Sequence, residues 1–212
     1  MTTATTRQRL SREQSREQTR ERLLEAAQIV FVEKGFAVAS VEDITAAAGY
    51  SRGAFYSNFN DKTELFVELL RRETHAIDRD FETMLAAPVL DAAELQQKIV
   101  AYYSRLYKDD MFSVLLMEAK IVAVRDDKFR ATLNAFLQER HEKLTEFVAA
   151  FARLTNTPQS APAHHITIGL MALCEGICFA HRCDPQRIDG QTVEAILAWF
   201  IKTSIVLPTR QG

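Results

Sequence analysis

The sequence predicts an all-α fold, and three observations lead to that prediction. Only 7 of its 212 residues are Gly and 5 are Pro, so few positions interrupt regular structure. Runs of β-branched residues are scarce, whereas apolar residues recur at helical spacing along most of the chain. Residues that cap helices precede several of these periodic segments. We therefore expect about nine helices, arranged as a three-helix head followed by a larger helical body.

Composition and charge narrow the class of protein. With 47% apolar and 25% charged residues, the chain resembles an ordinary soluble protein. The net charge of −2 gives no whole-protein argument for a polyanionic partner, although residues 1–22 hold six Arg against three Glu. Three Cys, an odd number, suit a reducing compartment. The N-terminus lacks the apolar core of a signal peptide, and the most apolar stretch, Ile166 to Ala180, is too short to span a bilayer, so we expect a cytoplasmic protein.

The segment from Ser40 to Phe66 predicts two short helices joined by a tight turn, followed by the start of a third helix. Ser40 is a suitable N-cap, and Asp43 three residues later favours a helix N-terminus. Gly49 ends this helix because Gly adopts the left-handed conformation cheaply. Ser51 then caps a second helix, Arg52 to Asn58. This arrangement is typical of a helix-turn-helix, whose second helix enters the major groove of DNA.

The same segment resembles the DNA-binding segment of TetR-family transcriptional regulators. The run S-V-E-D-I-T-A-A-A-G-Y-S-R-G-A-F-Y-S-N-F-N-D-K-T-E-L follows that family's pattern of a capped helix, an A-G turn, S-x-G opening the recognition helix and Y-x-x-F closing it. The matching positions are Ser40, Asp43, Ile44, Ala48, Gly49, Ser51, Gly53, Tyr56, Phe59, Lys62 and Leu65. With the preceding helix, the resemblance covers Thr19 to Phe66. Thr45 and Asn58 depart from the family, which often has Ala and His at those positions.

Capping and periodicity divide the chain into three parts. Residues 1–18 form a flexible basic arm, residues 19–61 the helix-turn-helix domain, and residues 62–212 the ligand-binding and dimerisation domain that the resemblance implies. Asp61 and Glu64 form a capping box at the start of the body. The expected helices are Thr19–Lys34, the two of the helix-turn-helix, then Lys62 to about Leu85, Ala92–Tyr107, Asp110–Val124, Asp126 or Asp127 to Leu154, Ala163–Arg182 and Gly190–Val206. Phe36, Ile44, Phe55 and Phe59 are expected in the core of the head.

Candidate DNA contacts cluster on the recognition helix and at helix N-termini. Arg52 is the one long donor at the start of that helix, suited to guanine or phosphate. Gly53 and Ala54 are small enough to let the backbone approach the groove floor. Hydroxyl, amide and ammonium groups at helix N-termini also hold phosphates. The full expected set is Thr19, Ser40, Ser51, Arg52, Gly53, Ala54, Tyr56, Ser57, Asn58 and Lys62; for Ser40 and Ser51 the alternative is capping alone.

The resemblance also implies an inducer pocket in the helical body. Aromatic and flexible apolar side chains with a few polar groups can line such a pocket, although the same residues form an ordinary core equally well. The expected ligand-binding residues are Tyr102, Tyr103, Met117, Glu118, Phe136, Arg140, His165 and Glu175. The alternative for each polar member is a solvated or paired structural residue.

The last two helices are apolar almost all round and predict a homodimer. Small residues at helical spacing permit close helix approach, and a symmetric four-helix interface would bury both helices. The expected interface residues are Gly169, Ala172, Gly176, Ala180, Leu197, Phe200 and Ile201; the alternative is burial within one subunit. Cys174, Cys178 and His181 share one helical face and, with Cys183 nearby, could form a metal site. We favour structural thiols, because a free Cys behaves as a small apolar side chain.

Three classes of function compete at this point. The first is a ligand-responsive repressor that binds a palindromic operator as a dimer and is released by a small apolar or aromatic inducer. The second is an enzyme of the helical body, but no nucleophile–base pair or convincing metal motif supports it, so we expect no catalytic residues and no cofactor. The third is a helical adaptor whose head binds protein instead of DNA. The first class is our prediction.

Overall fold

The computed structural model describes residues 11–86, 94, 97–101, 111–154, 159 and 161–204. Every regular element within these ranges is a helix, which confirms the all-α prediction. The helices are α1 (Arg12–Lys34), α2 (Val41–Ala48), α3 (Arg52–Tyr56), α4 (Lys62–Ala86), α5 (97–101), α6 (Met111–Arg125), α7 (Asp127–Leu154), α8 (Ala163–Cys183) and α9 (Gly190–Ser204). The chain divides into two compact units, one ending at Leu69 and the other beginning at Leu70. This division lies within α4, whereas the sequence placed it at the preceding loop.

Helix α1 begins at Arg12, well before the predicted start at Thr19. The Ser11 hydroxyl accepts a hydrogen bond from the Gln14 amide at 3.1 Å, and Gln14 Oε1 accepts one from the Ser11 amide at 2.9 Å. This reciprocal capping box satisfies two amide groups that a helix start leaves unpaired. Residues 12–18, which the sequence assigned to the flexible arm, are therefore helical. The remainder of that arm, with Arg7 and Arg9, lies outside the described residues.

Aromatic side chains fill the centre of the first unit. Phe31, Phe36 and Phe66 form a triangle with ring centroids 4.5 to 5.5 Å apart in tilted or edge-on geometry. The predicted head core is confirmed, because Phe36, Ile44, Phe55 and Phe59 are all buried. Burying one such side chain contributes about 1.5–3 kcal/mol. The core therefore fixes the helix-turn-helix on α1 and the start of α4.

The core of the second unit lies among α7, α8 and α9. Asp126 starts α7 as predicted, since its carboxylate accepts a hydrogen bond from the Phe129 amide at 2.9 Å. An apolar stripe along α7 is buried at Phe129, Leu133, Phe136, Leu144, Phe147, Val148 and Phe151. Ile166 and Leu170 of α8 and Val193 of α9 belong to the same core cluster as Phe147 and Phe151. The core of the second unit is therefore built by the packing of three successive helices.

Helix α8 is longer than the apolar stretch that the sequence analysis considered too short for a bilayer. It contains 21 residues, and an 18-residue stretch within it has a mean hydropathy of 1.4, so among the described helices it alone is long and apolar enough to cross a membrane. Core helices of soluble proteins pass the same test. Its buried residues Ile166, Leu170 and Ile177 pack into the core of the second unit. The length of α8 is therefore weak evidence for a membrane span.

Candidate DNA-binding site and ligand cleft

The N-terminus of α2 is fixed by reciprocal hydrogen bonds between Ser40 and Asp43. The Asp43 amide donates to Ser40 Oγ at 3.1 Å, and the Ser40 amide donates to Asp43 Oδ2 at 3.0 Å. Lys34 Nζ lies 2.7 Å from Asp43 Oδ1. The hydrogen bond from Lys34, followed by those from Ser40, holds the pKa of Asp43 well below its usual range. The Ser40 hydroxyl is thus committed to capping, the alternative that the sequence left open.

The turn between α2 and α3 follows the predicted geometry. Gly49 has φ 72° and ψ 29°, the left-handed conformation that Gly adopts without strain. The Tyr50 amide donates to the Thr45 carbonyl at 2.9 Å, which satisfies an acceptor at the end of α2. Ser51 Oγ accepts a hydrogen bond from the Ala54 amide at 3.2 Å and so caps α3. Local capping therefore sets the direction in which α3 leaves the turn.

Helix α3 is shorter than predicted, because it ends at Tyr56 instead of Asn58. Phe55 anchors it in the core, whereas Ser51, Arg52, Gly53, Tyr56 and Ser57 are exposed. A Cβ added at Gly53 would meet only Ser51 Oγ, at 3.6 Å, so packing within the head does not require a glycine there. Its small size instead leaves the outer surface of α3 open to close approach. The structure thus brings five of the expected DNA contacts onto one exposed element.

Arg52 carries the positive charge of this surface, being the only Lys or Arg between residues 41 and 61. Its Nη1 lies 2.6 Å from Glu42 Oε1, and its Cζ lies 5.9 Å from the centre of the Tyr56 ring. Hydrogen bonding to Tyr56, followed by the charge of Glu42, raises the pKa of Arg52. The guanidinium remains largely exposed, so a phosphate or a base edge can replace Glu42 as its partner.

Lys62 stands at the start of α4, as the sequence predicts, but its side chain points into the head. Its Nζ donates to the carbonyls of Phe36 at 2.6 Å and Ala39 at 2.7 Å, and it lies 4.5 Å from the centre of the Phe36 ring. Burial lowers the pKa of Lys62. An ammonium has three donors, and two of these point into the head. Lys62 therefore joins the start of α4 to the loop before α2, and we no longer expect it to hold a phosphate.

Thr19 and Asn58 are also placed differently from the expectation. Thr19 lies inside α1, where its hydroxyl donates to the Ser15 carbonyl at 2.9 Å, so it is not at a helix N-terminus. Asn58 is buried, with 8% exposure, and its Nδ2 donates to the Ala54 carbonyl at 2.8 Å. Both side chains satisfy backbone carbonyls within the head. We therefore do not expect either side chain to read DNA in this conformation.

Arg20 is a structural contact that sequence reasoning missed. Its Nη1 donates to the Asn58 carbonyl at 3.1 Å, and its Nη2 lies 3.1 Å from Glu68 Oε1. Its Cζ also stands 4.3 Å above the Phe59 ring. The signal was present in the sequence, because Arg20 stands next to the apolar stripe that begins at Leu23 and long cations often extend along such a stripe.

The second unit contains a cleft of about 240 Å³ between α6 and α8. Apolar groups on its wall include Val114, Met117, Ile121 and Phe179. Lys120 and Glu175 form an ion pair within this lining. Three of the expected ligand-binding residues, Met117, Glu118 and Glu175, line the cleft.

The other expected ligand-binding residues do not line this cleft. Phe136 is fully buried in the second unit, with the Arg140 guanidinium 6.0 Å from the centre of its ring. His165 is exposed near the start of α8, where its ring lies 4.1 Å from that of His164. Tyr102 and Tyr103 lie outside the described residues. The predicted pocket residues are thus divided among a cleft, a filled core and an exposed helix start.

Helices α8 and α9 pack against each other along part of their surface, and another part of their surface is exposed. A Cβ at Gly169 would lie 3.0 Å from the Phe200 ring, so this glycine allows close packing within the chain. At Gly176 a Cβ would meet nothing within 4 Å. Leu197 and Ile201, which we expected at a dimer interface, are buried in the core of one chain. The exposed apolar residues are instead Ile168, Phe179 and Trp199, with Ala172 and Gly176 exposed between the first two along α8.

The three cysteines of α8 differ in exposure, since Cys178 is buried, Cys174 is half-buried and Cys183 is exposed. Cys178 is buried, and burial, with smaller contributions from Cys178 and Glu175, raises the pKa of the Cys174 thiol far above its usual value. His181 Nδ1 lies 2.5 Å from the Ile188 carbonyl, so this ring nitrogen has a backbone partner. Among the described residues, no group of three His, Cys, Asp or Glu side chains is arranged to hold a metal ion.

Comparison with known proteins agrees with this geometry. The family model for bacterial regulatory proteins of the tetR family matches residues 23–69. A probable HTH-type transcriptional regulator, ArpR of Pseudomonas putida, is 42% identical over 181 residues, which cover 79% of this chain and 81% of ArpR. The chain belongs to the TetR family. The members of that family are transcriptional regulators and not enzymes.

Two other HTH-type transcriptional regulators match over a shorter part of the chain. SrpR and TtgW, both of Pseudomonas putida, are 40% and 38% identical to this chain, each over 61 residues. These matches cover 29% of this chain and span 29% of SrpR and 46% of TtgW. The SmeT–triclosan complex shares the fold, with a TM-score of 0.64 and 21% identity over 92% of this chain and 96% of SmeT. SmeT is described as the repressor of a Stenotrophomonas maltophilia multidrug efflux pump.

Proposed function

We propose that this TetR-family regulator is a cytoplasmic, ligand-responsive repressor that binds a palindromic operator as a dimer and releases it when a small apolar or aromatic inducer binds. The observation that carries the proposal is the exposed surface of α3, which is capped at Ser51, anchored at Phe55 and open at Gly53. A rigid short helix with one exposed cation suits direct readout in the major groove.

The proposed DNA contacts follow from exposure and chemistry. Arg52 donates to guanine or phosphate after giving up its ion pair with Glu42. Tyr56 supplies a hydroxyl group for a phosphate, while Gly53 and Ala54 permit close approach of the backbone. Thr19, Ser57, Asn58 and Lys62 are left out because their polar groups bond inside the head. The contact set is therefore smaller than the one that the sequence suggested.

The proposed inducer site is the cleft between α6 and α8. Met117, Ile121 and Phe179 give it an apolar wall that suits an apolar or aromatic ligand. The triclosan bound by SmeT, a protein of the same fold, is consistent with such a ligand class. An inducer shifts the regulator only by its differential affinity for two states, so inducer and operator must oppose each other reciprocally.

The proposed dimer interface is the uncovered face of α8 and α9. Ile168, Ala172, Gly176 and Phe179 lie on one side of α8, and Trp199 of α9 is 65% exposed. A second copy related by two-fold symmetry would bury this apolar face on both chains. A symmetric dimer presents two α3 helices and so requires a palindromic operator.

A mobility-shift assay tests the proposed function directly. The purified protein is titrated into the promoter beside its own gene and into a scrambled duplex of equal length and composition. We expect a shift of the promoter at concentrations that leave the scrambled duplex free, and a weaker shift when an apolar aromatic compound that binds the cleft is added. Equal binding to both duplexes would contradict a specific repressor, and no binding to either would favour a head that binds protein.

A further inference from the structure

Arg20 occupies a junction between three elements of the first unit. Its guanidinium extends from α1 and meets the Asn58 carbonyl just after α3 and the Glu68 carboxylate on α4. Both polar contacts are 3.1 Å long. The side chain is 24% exposed, so these bonds are partly shielded from water. One residue thus connects the helix that opens the head, the end of the recognition segment and the helix that follows it.

The contact at Asn58 continues into the recognition helix itself. Asn58 Nδ2 donates to the Ala54 carbonyl at 2.8 Å, so the residue whose backbone is held by Arg20 also ties down the end of α3. The Phe59 ring beneath the Arg20 guanidinium lies 5.8 Å from the Phe55 ring, which anchors α3 in the core. Arg20 is therefore linked to α3 both by hydrogen bonds through Asn58 and by the packing of the Phe59 ring on Phe55.

We propose that Arg20 is a positioning residue for operator recognition, which sets the orientation of α3 relative to α4 without contacting DNA. This inference rests on the proposed function, because it concerns how accurately α3 is presented to an operator. Arg suits this role, since its planar fork donates to two acceptors while its flat face stacks on an aromatic ring. Lys would keep the charge but not the fork. Glu68 takes part in the same positioning, because its carboxylate pairs with Nη2 of the Arg20 guanidinium.

The test compares variants of the full-length protein. Arg20→Gln, Arg20→Lys, Glu68→Gln and the double variant Arg20→Gln/Glu68→Gln are measured for affinity to the operator and to a scrambled duplex at several salt concentrations. Arg22→Gln and Glu25→Gln are matched controls, being exposed residues on the same helix with the same changes of charge. Melting temperatures establish that each variant is folded.

A positioning role gives a defined pattern of affinities. We expect Arg20→Gln to lower the ratio of operator to scrambled affinity roughly tenfold, comparable to the loss of one base contact. Glu68→Gln should lower it less, and the double variant should be no worse than Arg20→Gln because the two residues act as one unit. Arg20→Lys should not restore the ratio, and both controls should match the parent protein. A general loss of stability would instead lower both affinities together.

Three outcomes would overturn the inference. If the Arg20→Gln variant keeps the parent protein's ratio of operator to scrambled affinity, Arg20 has no positioning role. Restoration by Arg20→Lys, together with a smaller salt dependence for Arg20→Gln, would make Arg20 a phosphate contact. Additive losses in the double variant would show that Glu68 does not act through Arg20.

Hydrogen exchange of the free protein separates this inference from the proposed function. In Arg20→Gln we expect faster exchange of the Ser57 and Phe59 amides, which bond to the Gly53 and Phe55 carbonyls, with unchanged exchange in the middle of α1. Unchanged exchange at these amides refutes the inference even if the operator is bound as proposed. A parent protein that fails to discriminate the operator, with the exchange effect present, refutes the proposed function and the claim about recognition with it.

Discussion

The two units of this regulator differ in how their candidate functional surfaces are built. In the first unit, the hydrogen bonds that cap α2 and α3 and close the turn between them join residues three to five positions apart, such as Ser40 with Asp43 and Tyr50 with Thr45. In the second unit, the cleft is built from α6 and α8, and its ion pair joins Lys120 and Glu175, which are 55 positions apart. A surface made by sequence neighbours follows from local rules, whereas a surface made by distant residues depends on how whole helices pack.

The largest effect is expected from a substitution in the core of the first unit. Phe31→Ala removes a fully buried ring that contacts Phe36 and Phe66, and it should destabilise the head by about 3–5 kcal/mol. Trp199, the one Trp of the chain, lies in the second unit and reports on that unit by fluorescence. Urea unfolding should therefore show a large shift by circular dichroism and a smaller one by fluorescence. Phe151→Ala is the matched control, and equal shifts by both probes for Phe31→Ala would contradict separate units.

The next effect concerns the uncovered face of α8. Gly176→Arg places a charge on a surface where a Cβ meets nothing within 4 Å, so the folded chain should tolerate it. The proposed dimer should not, and its dissociation constant should rise by roughly a hundredfold or more because a charge would be buried without a partner. Light scattering measures the change. Gly169→Leu, whose larger side chain would overlap the Phe200 ring within the chain, should lower the melting temperature instead. A soluble Gly176→Arg dimer would place the interface elsewhere.

Lys62→Met distinguishes an internal cation from a DNA contact. Removing the ammonium leaves the carbonyls of Phe36 and Ala39 without their charged donor, which should cost about 1.5–3 kcal/mol of head stability. The dependence of operator affinity on salt should stay the same, because no phosphate contact is lost. Lys34→Met, which removes a cation paired at the surface, should destabilise the head less. If operator affinity depended less on salt in Lys62→Met than in the parent protein, Lys62 would contact a phosphate after all, as the sequence suggests.

Arg52→Ala should show the opposite pattern, since Arg52 is exposed on α3. Operator affinity should fall roughly tenfold while the melting temperature stays the same. Arg153→Ala, an exposed cation of α7, controls for the change in net charge. Fluorescence anisotropy with labelled operator measures both variants, and an unchanged affinity for Arg52→Ala would move the DNA contact away from the start of α3.

The smallest effect is the pH dependence of the α2 cap. The folded-state pKa of Asp43 is lowered, so its contribution to stability is fully present above the unfolded pKa of about 3.9 and is lost as the pH falls through the folded value. Asp43→Asn should lower the melting temperature of the head by at most about 4 °C at pH 7. The difference from the parent should shrink below about pH 4. A constant difference from pH 7 down to pH 2 would mean that ionisation of Asp43 contributes nothing.

Particular residues show where sequence reasoning succeeded. Ser40, Gly49 and Ser51 were predicted to begin and end the helices of the helix-turn-helix, and the structure confirms all three. The sequence offers Asp126 or Asp127 as the start of α7, and the structure shows that Asp126 caps a helix beginning at Asp127. The start of α1 was missed because Ser11 and Gln14 precede a polar stretch without an apolar stripe, so periodicity gave no sign of a helix there.

The sequence by itself determined the all-α class, the caps and turn of the head and the resemblance to TetR-family regulators, because each of these follows from residues within one or two turns of one another. Only the tertiary structure decided the roles of the cations. Arg20, Arg52 and Lys62 look alike in the sequence, yet Arg52 is exposed on α3 while the other two bond to carbonyls brought to them by folding. The same holds for Leu197 and Ile201, which are apolar like Trp199 but lie inside one chain. Burial depends on which helices meet, and local sequence does not specify that.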